Sequence, residues 1–113
     1  MFTKLNKYGT FINNLVYNAS INEYELPTEN VKDCAVTLLS LFEVKHISGA
    51  TILPLREGGI GFEFTKDQVY YNIQIDNEGD AVLYKEEPNQ APKGWDLNFQ
   101  HLLRNLKTEF NGM

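Results

Sequence analysis

Few residues in this chain carry chemistry of their own: one cysteine, two histidines and a scatter of acids. A metal site needs three or four converging donors. His46 and His101 fall in different predicted helices, and neither has a Cys or His at ligand spacing. Both read as structural or solvated, and no metal is assigned. Cys34 would act as a nucleophile only if a cation or a helix N-terminus lowered its pKa. It lies within the first two turns of its predicted helix, yet it shares an apolar stripe with Val31, Leu38 and Leu41, so it reads as a core thiol. The run Asp76-Asn77-Glu78-Gly79-Asp80 invites a calcium reading. A hand-type loop keeps its Gly sixth and ends on a twelfth-position Glu. Here Gly79 is fourth and Glu87 falls at the end of a strand, so a hairpin with Gly79 at positive φ is the simpler expectation. Gly58-Gly59-Ile60-Gly61 precedes a strand, whereas a phosphate cradle opens a helix. No Gly-x-Ser-x-Gly or His-Glu-x-x-His spacing occurs. No catalytic residue and no cofactor is assigned, and an enzyme is unsupported rather than excluded, because catalytic groups can be remote in sequence.

The elements that would position these residues follow from periodicity. Phe2, Leu5, Tyr8, Ile12, Leu15, Val16 and Ala19 fit a helical stripe that Gly9 is expected to interrupt, leaving a short helix over about 10–18 and a loop to Leu26. Pro27-Thr28 opens a clearer helix, with Thr28 as its cap and Val31, Cys34, Ala35, Leu38, Leu41 and Phe42 on one face. Gly49 is expected to stop it. The period then changes to two. Thr51–Leu55 reads as a short edge strand because Pro54 lacks a donor. Ile60, Phe62 and Phe64 alternate with Gly61, Glu63 and Thr65, and Val69, Tyr71, Ile73 and Ile75 with Tyr70, Asn72 and Gln74. A fourth and last strand runs from Ala81 to Glu86. Pro88 to Gly94 reads as a loop, Trp95 as a core plug, and Asp96 as the cap of a final helix bearing Phe99, Leu102, Leu103, Leu106 and Phe110.

Short turns force successive strands antiparallel. The expected fold is α+β: one domain over residues 1–113, ordered helix, helix, four strands, helix, with the helices on one face of a four-stranded meander. If Phe62, Ile73 and their alternates face the helices, then Glu63, Tyr70, Asn72 and Gln74 point away. Tyr84 or Lys85 joins them according to register. Glu63, Tyr70, Asn72, Gln74 and Tyr84 are therefore the candidate partner-binding residues.

The totals narrow the partner. The chain has 113 residues, 42% hydrophobic, enough for a core without disulfides or metal. Its formal charge is −5. Residues 57–87 hold eight acids and two lysines, which makes that segment −6 and the remainder +1. Such a field repels phosphate backbones and attracts cations, so a basic protein partner is expected and nucleic acid is not. A lone cysteine in so small a domain points to a reducing, cytoplasmic compartment. The first twenty residues show no signal-peptide core and no stretch is apolar enough to span a bilayer, so no membrane association is expected.

Gly58-Gly59-Ile60-Gly61-Phe62-Glu63-Phe64, followed by Tyr71-x-Ile73-x-Ile75-x-x-x-Gly79, resembles a small uncharacterised bacterial protein family. In that family a helix leads into "GGI-x-LEW", an alternating "IEI" strand and a glycine hairpin. The resemblance covers about residues 22–84. This chain has Phe64 where the family tends to have Trp, and Gln74 where Glu is common. The resemblance implies the fold and attaches no activity. Three functional readings stand beside one another. The first is a non-catalytic protein-binding module, immunity-, antitoxin- or chaperone-like, that neutralises a basic partner. The second is a small-ligand binder or enzyme with a pocket between sheet and helices, using Glu63, Asn72 and His101. The third is a homodimer formed through a sheet face or edge.

Overall fold

In a computed structural model of the chain, which describes residues 4–47 and 49–110, two helices lead into five strands and a closing helix. They are α1 (Lys4–Ile21), α2 (Glu29–Val44), β1 (Thr51–Pro54), β2 (Ile60–Lys66), β3 (Val69–Ile75), β4 (Asp80–Glu86), β5 (Lys93–Asn98) and α3 (Phe99–Glu109). The strands form one antiparallel meander in the order β1-β2-β3-β4-β5. The α+β meander is as the alternation implies, but the sheet has five strands where the sequence suggests four. Asp96, read as a helix cap, pairs with Val82 inside β5. Asn98 caps α3 instead, its side chain accepting from the His101 amide at 2.8 Å. Trp95 is no core plug: it sits on the edge strand, 40% exposed.

Helix ends explain the other differences. Phe2 lies outside the described residues, as does the side chain of Leu5, but the stripe through Tyr8, Ile12, Leu15 and Ala19 is buried. Gly9 does not interrupt α1. The helix runs to Ile21 and closes on a left-handed residue, Glu23 (φ 60°), with Tyr24 N–H donating to Ala19 O and Glu23 N–H to Ser20 O. The same closure ends α2: His46 takes φ 57°, Ile47 N–H donates to Phe42 O at 2.8 Å, and His46 N–H to Glu43 O at 3.2 Å. This pairing of a sixth-to-first with a fifth-to-second bond is the usual glycine-terminated helix stop. Here glutamate and histidine occupy the glycine position. Gly49 lies three residues too late to be the stop, so α2 ends sooner than a glycine search implies.

All three helices pack on one side. Phe42 of α2 meets Phe62 and Phe64 of β2 edge-on, with ring centroids 5.8 and 5.0 Å apart. Tyr71 of β3 stacks on Phe64 at 4.9 Å, and Phe110, just past α3, closes against both. Ile60, Phe62, Ile73, Ile75, Leu102, Leu106 and Phe110 are fully buried. Two glycines tie the ends of the sheet together. Gly58 and Gly59 both take positive φ (92° and 97°), and a Cβ on Gly59 would stand 2.1 Å from Ile75 O. Above them Asn77 holds the start of α2. Its Oδ1 accepts from Thr28 N–H at 3.0 Å and its Nδ2 donates to Leu26 O at 3.0 Å. Thr28 in turn caps α2, its Oγ1 accepting from Val31 N–H at 3.3 Å.

The two irregular helix positions generate a stability prediction. A non-glycine residue in the left-handed region costs about 1–2 kcal/mol, offset in part by glycine's extra freedom when unfolded. His46→Gly is expected to stabilise the protein by about 0.5–1 kcal/mol. A Cβ on Gly9 meets nothing within 4 Å, so Gly9→Ala should add a similar ~0.5–1 kcal/mol through helix propensity. Urea denaturation of each variant, with unchanged slope, checks both.

Candidate protein-binding face

Register decides which side chains share the face without helices. Glu63 lies opposite Asn72, and Asn72 opposite Tyr84, in one row across β2, β3 and β4. Tyr70 and Gln74 flank Asn72 on its own strand, two residues to either side, and so point the same way. All five residues singled out from the sequence therefore gather around Asn72. The open question of β4 is settled as well: Tyr84 belongs to this face, and Lys85, opposite Tyr71, lies under the helices.

Asn72 is the polar hub. Its Nδ2 donates to Glu63 Oε1 at 3.1 Å and to Tyr70 Oη at 3.2 Å. Its Oδ1 is buried and has no hydrogen-bond partner among the described residues. An acceptor left in that condition costs about 1–3 kcal/mol. Tyr84 is 45% exposed, and its ring lies over Gly94, where a Cβ would come within 3.0 Å of Tyr84 Cε1. Glycine at that point lets the ring lie along the edge of the sheet.

Two grooves border this hub at the end of the sheet that holds the glycine turns. One, of about 480 Å³, is lined by Leu55, Gln74, Val82, Asp76, Asp80 and Asp96, with Ala81 and Leu97. The other, of about 490 Å³, shares Leu55, Gln74 and Asp76 and adds Glu25, Arg56, Glu57, Gly58, Asn77 and Glu78. The sequence reading missed Asp96 as part of this surface because β5 was not recognised, and Val82 because the sequence leaves open the facing of the strand from Ala81 to Glu86. The alternation Trp95, Leu97, Phe99 was the available signal. Asp76, Glu78 and Asp80 bring exposed carboxylates within 4.8 Å of one another. Asp76 Oδ1 already accepts the amides of Glu78 (2.9 Å) and Asp80 (3.0 Å), and Gly79 takes φ 92°. Those bonds are the hairpin expected at this run.

Charge follows the same division. Every acid within a strand, Glu63, Asp80, Glu86 and Asp96, falls on the open side by strand alternation and register. Every strand lysine, Lys66, Lys85 and Lys93, falls on the helix side.

The helix side holds a smaller cleft, about 230 Å³, lined by Tyr71, Leu83, Lys85, Trp95, Asn105, Thr108 and Glu109. Glu63, Asn72 and His101, proposed from sequence to converge between sheet and helices, do not. Glu63 and Asn72 bond each other on the open face, and His101 is exposed on α3. In the cleft, Tyr71 Oη donates to Glu109 Oε1 at 3.0 Å and Lys85 Nζ donates to the same oxygen. Lys85 also pairs with Glu87 at 3.2 Å. Burial pushes the Tyr71 hydroxyl well above its ordinary value, and the bond to Glu109 adds to that. Burial also works to raise Glu109, but the bonds from Lys85 and Tyr71 outweigh it and hold the carboxyl below the ordinary 4.5. The bond to Glu109 raises Lys85 despite partial burial. These three groups fasten α3 to the sheet. Burial, then the neighbouring Asp33, raises the Cys34 thiol, which stays protonated in the core.

Comparison of the chain with protein-family models, with curated proteins and with solved structures finds no match. Among the described residues no helix is long and apolar enough to cross a membrane.

The α3 fastening gives a pH dependence with a defined sign. Glu109 has a depressed folded pKa, so its contribution is present above the unfolded value and fades as the pH falls below 4.5 through the folded one. Tyr71 and Lys85 are raised, so theirs is present below their unfolded values of 10.0 and 10.5 and fades at higher pH. A third of the Glu109 side chain is exposed, so Glu109→Gln should cost under about 1 kcal/mol at neutral pH. In denaturation curves across pH, the gap between wild type and variant should close below pH 4.5.

Proposed function

We propose that this chain is a non-catalytic binding protein that neutralises a basic protein partner, as an immunity protein, antitoxin or secretion-type chaperone does, by docking it on the helix-free face of the sheet. The observation that carries this reading is the segregation of charge across the sheet. Alternation alone does not require all four strand acids to face outward together, and any folding use of the lysines is confined to the other side. An acidic face raises the rate of encounter with a cationic surface, an effect that salt screens over about 8–10 Å. Tyr70 and Tyr84 supply the amphipathic rings that contribute strongly at interfaces. A lone, buried thiol suits a reducing, cytoplasmic setting.

The small-ligand reading is weaker on two counts. The cleft between sheet and α3, at about 230 Å³, falls below the ~300 Å³ where ligand pockets begin. Its ionisable groups also satisfy one another.

Affinity capture from the native host tests the proposal. The tagged protein should retain a basic protein at low salt and release it as salt rises. Glu63→Lys and Glu86→Lys, on the open face, should each slow association by about tenfold or less, while Lys66→Glu on the helix side leaves it unchanged. Tyr84→Ala should cost about 1–2 kcal/mol of binding. Repeated recovery of the protein alone at low salt, or equal effects of the variants on both sides, would remove the proposal.

A further inference from the structure

The sheet ends in two edges, and they differ. β1 has four residues, closes on Pro54, which has no donor, and lies against α1. β5 has six residues with no proline among them, and five of the six are exposed. Among the described residues, β5 takes part in none of the turn and loop backbone bonds, and its last residue, Asn98, opens α3. A row of backbone donors and acceptors is therefore left facing outward, the condition that invites another strand.

We propose that the outer edge of β5 takes up an extended segment of the partner as a sixth antiparallel or parallel strand, and that the segment alternates basic with apolar residues. This rests on the basic-partner reading and adds to it a backbone mode of recognition. Charge complementarity selects the occupant. A residue of the added strand opposite Asp96 lies on the open side, about 5 Å away, where Asp80 and Asp76 line the same groove. A lysine or arginine there meets carboxylates on a floor of Val82. Residues opposite Trp95 and Leu97 lie on the helix side, where the 40% exposed indole is waiting for an apolar cover. Gly94 carries no side chain of its own, and the Tyr84 ring lying over it gives that position an aromatic wall. Lys93, at the first position, repels a basic segment and sets the frame at residues 94–98. A second copy of this chain fits less well, because pairing edge to edge would set two acidic faces side by side on molecules of charge −5.

Trp95 is the only tryptophan and stands on the edge in question, so its fluorescence reports occupancy directly. The probe is an eight-residue synthetic peptide alternating Lys and Val, titrated into the whole protein at low salt. Saturable binding with a blue shift of the Trp95 emission is expected. A peptide of the same sequence with its edge-facing amides N-methylated should bind at least about tenfold more weakly, since two or three ladder bonds are lost. Asp96→Lys should weaken the unmethylated peptide by about tenfold as well. Its circular dichroism should match the wild type, because the side chain is exposed on an edge.

Equal affinity for the methylated and unmethylated peptides, or binding that leaves the Trp95 emission unmoved, overturns the proposal. In that case capture of a basic partner that responds to Glu63→Lys would stand by itself. Concentration-dependent dimerisation of the protein alone, abolished by Trp95→Lys, also overturns it, by giving the edge to a second copy.

Discussion

Everything in this molecule depends on one aromatic contact set: Phe42 wedged edge-on between Phe62 and Phe64, with Tyr71 and Phe110 completing the cluster. It joins α2, β2, β3 and the end of α3 through rings that can be satisfied on one side of the sheet only. The buried apolar residues of all three helices join the core on that one side of the sheet. The bare face is therefore a consequence of packing. A strand residue turned away from the cluster has no apolar neighbour layer to enter, which is why Glu63, Asn72 and Gln74 are tolerated in central strands.

A second constraint fixes how that face is shaped at its lower end. Asn77 reaches from the β3–β4 hairpin to Leu26 and Thr28, so it ties the start of α2 to the tip of the hairpin. Gly58 and Gly59 must be glycine because Asn77 and the Ile75 carbonyl occupy the space where side chains would stand. The same compression brings Leu55 beside the strands, where it floors both acidic grooves. The Gly-Gly turn read from sequence thus acts far from its own strand pair.

Much of this was legible in the residues, for physical reasons. Strict alternation in Ile60–Phe64 and Val69–Ile75 has one solution once one face is buried, so the open-face set followed. The Thr28 cap was visible because a capping side chain is a local event. β5 was not visible. Its Lys, Gly, Asp and Asn have poor strand propensity, and an exposed edge strand needs little apolar content, so its pattern was thin. The ends of α1 and α2 were missed because Glu23 and His46 adopt a conformation that sequence reading reserves for glycine. The convergence of Glu63 and Asn72 with His101 failed because alternation places the first two on the far side of the sheet from α3.

The division of strand charges has a consequence for the molecule as a physical object. Carboxylates on one side of a sheet and ammonium groups on the other contribute an electric moment along the sheet normal. Near any positively charged surface it feels a torque before it feels a contact, and it turns its bare side inward. Adsorbed on a cationic bead, it would present its helices to the solvent.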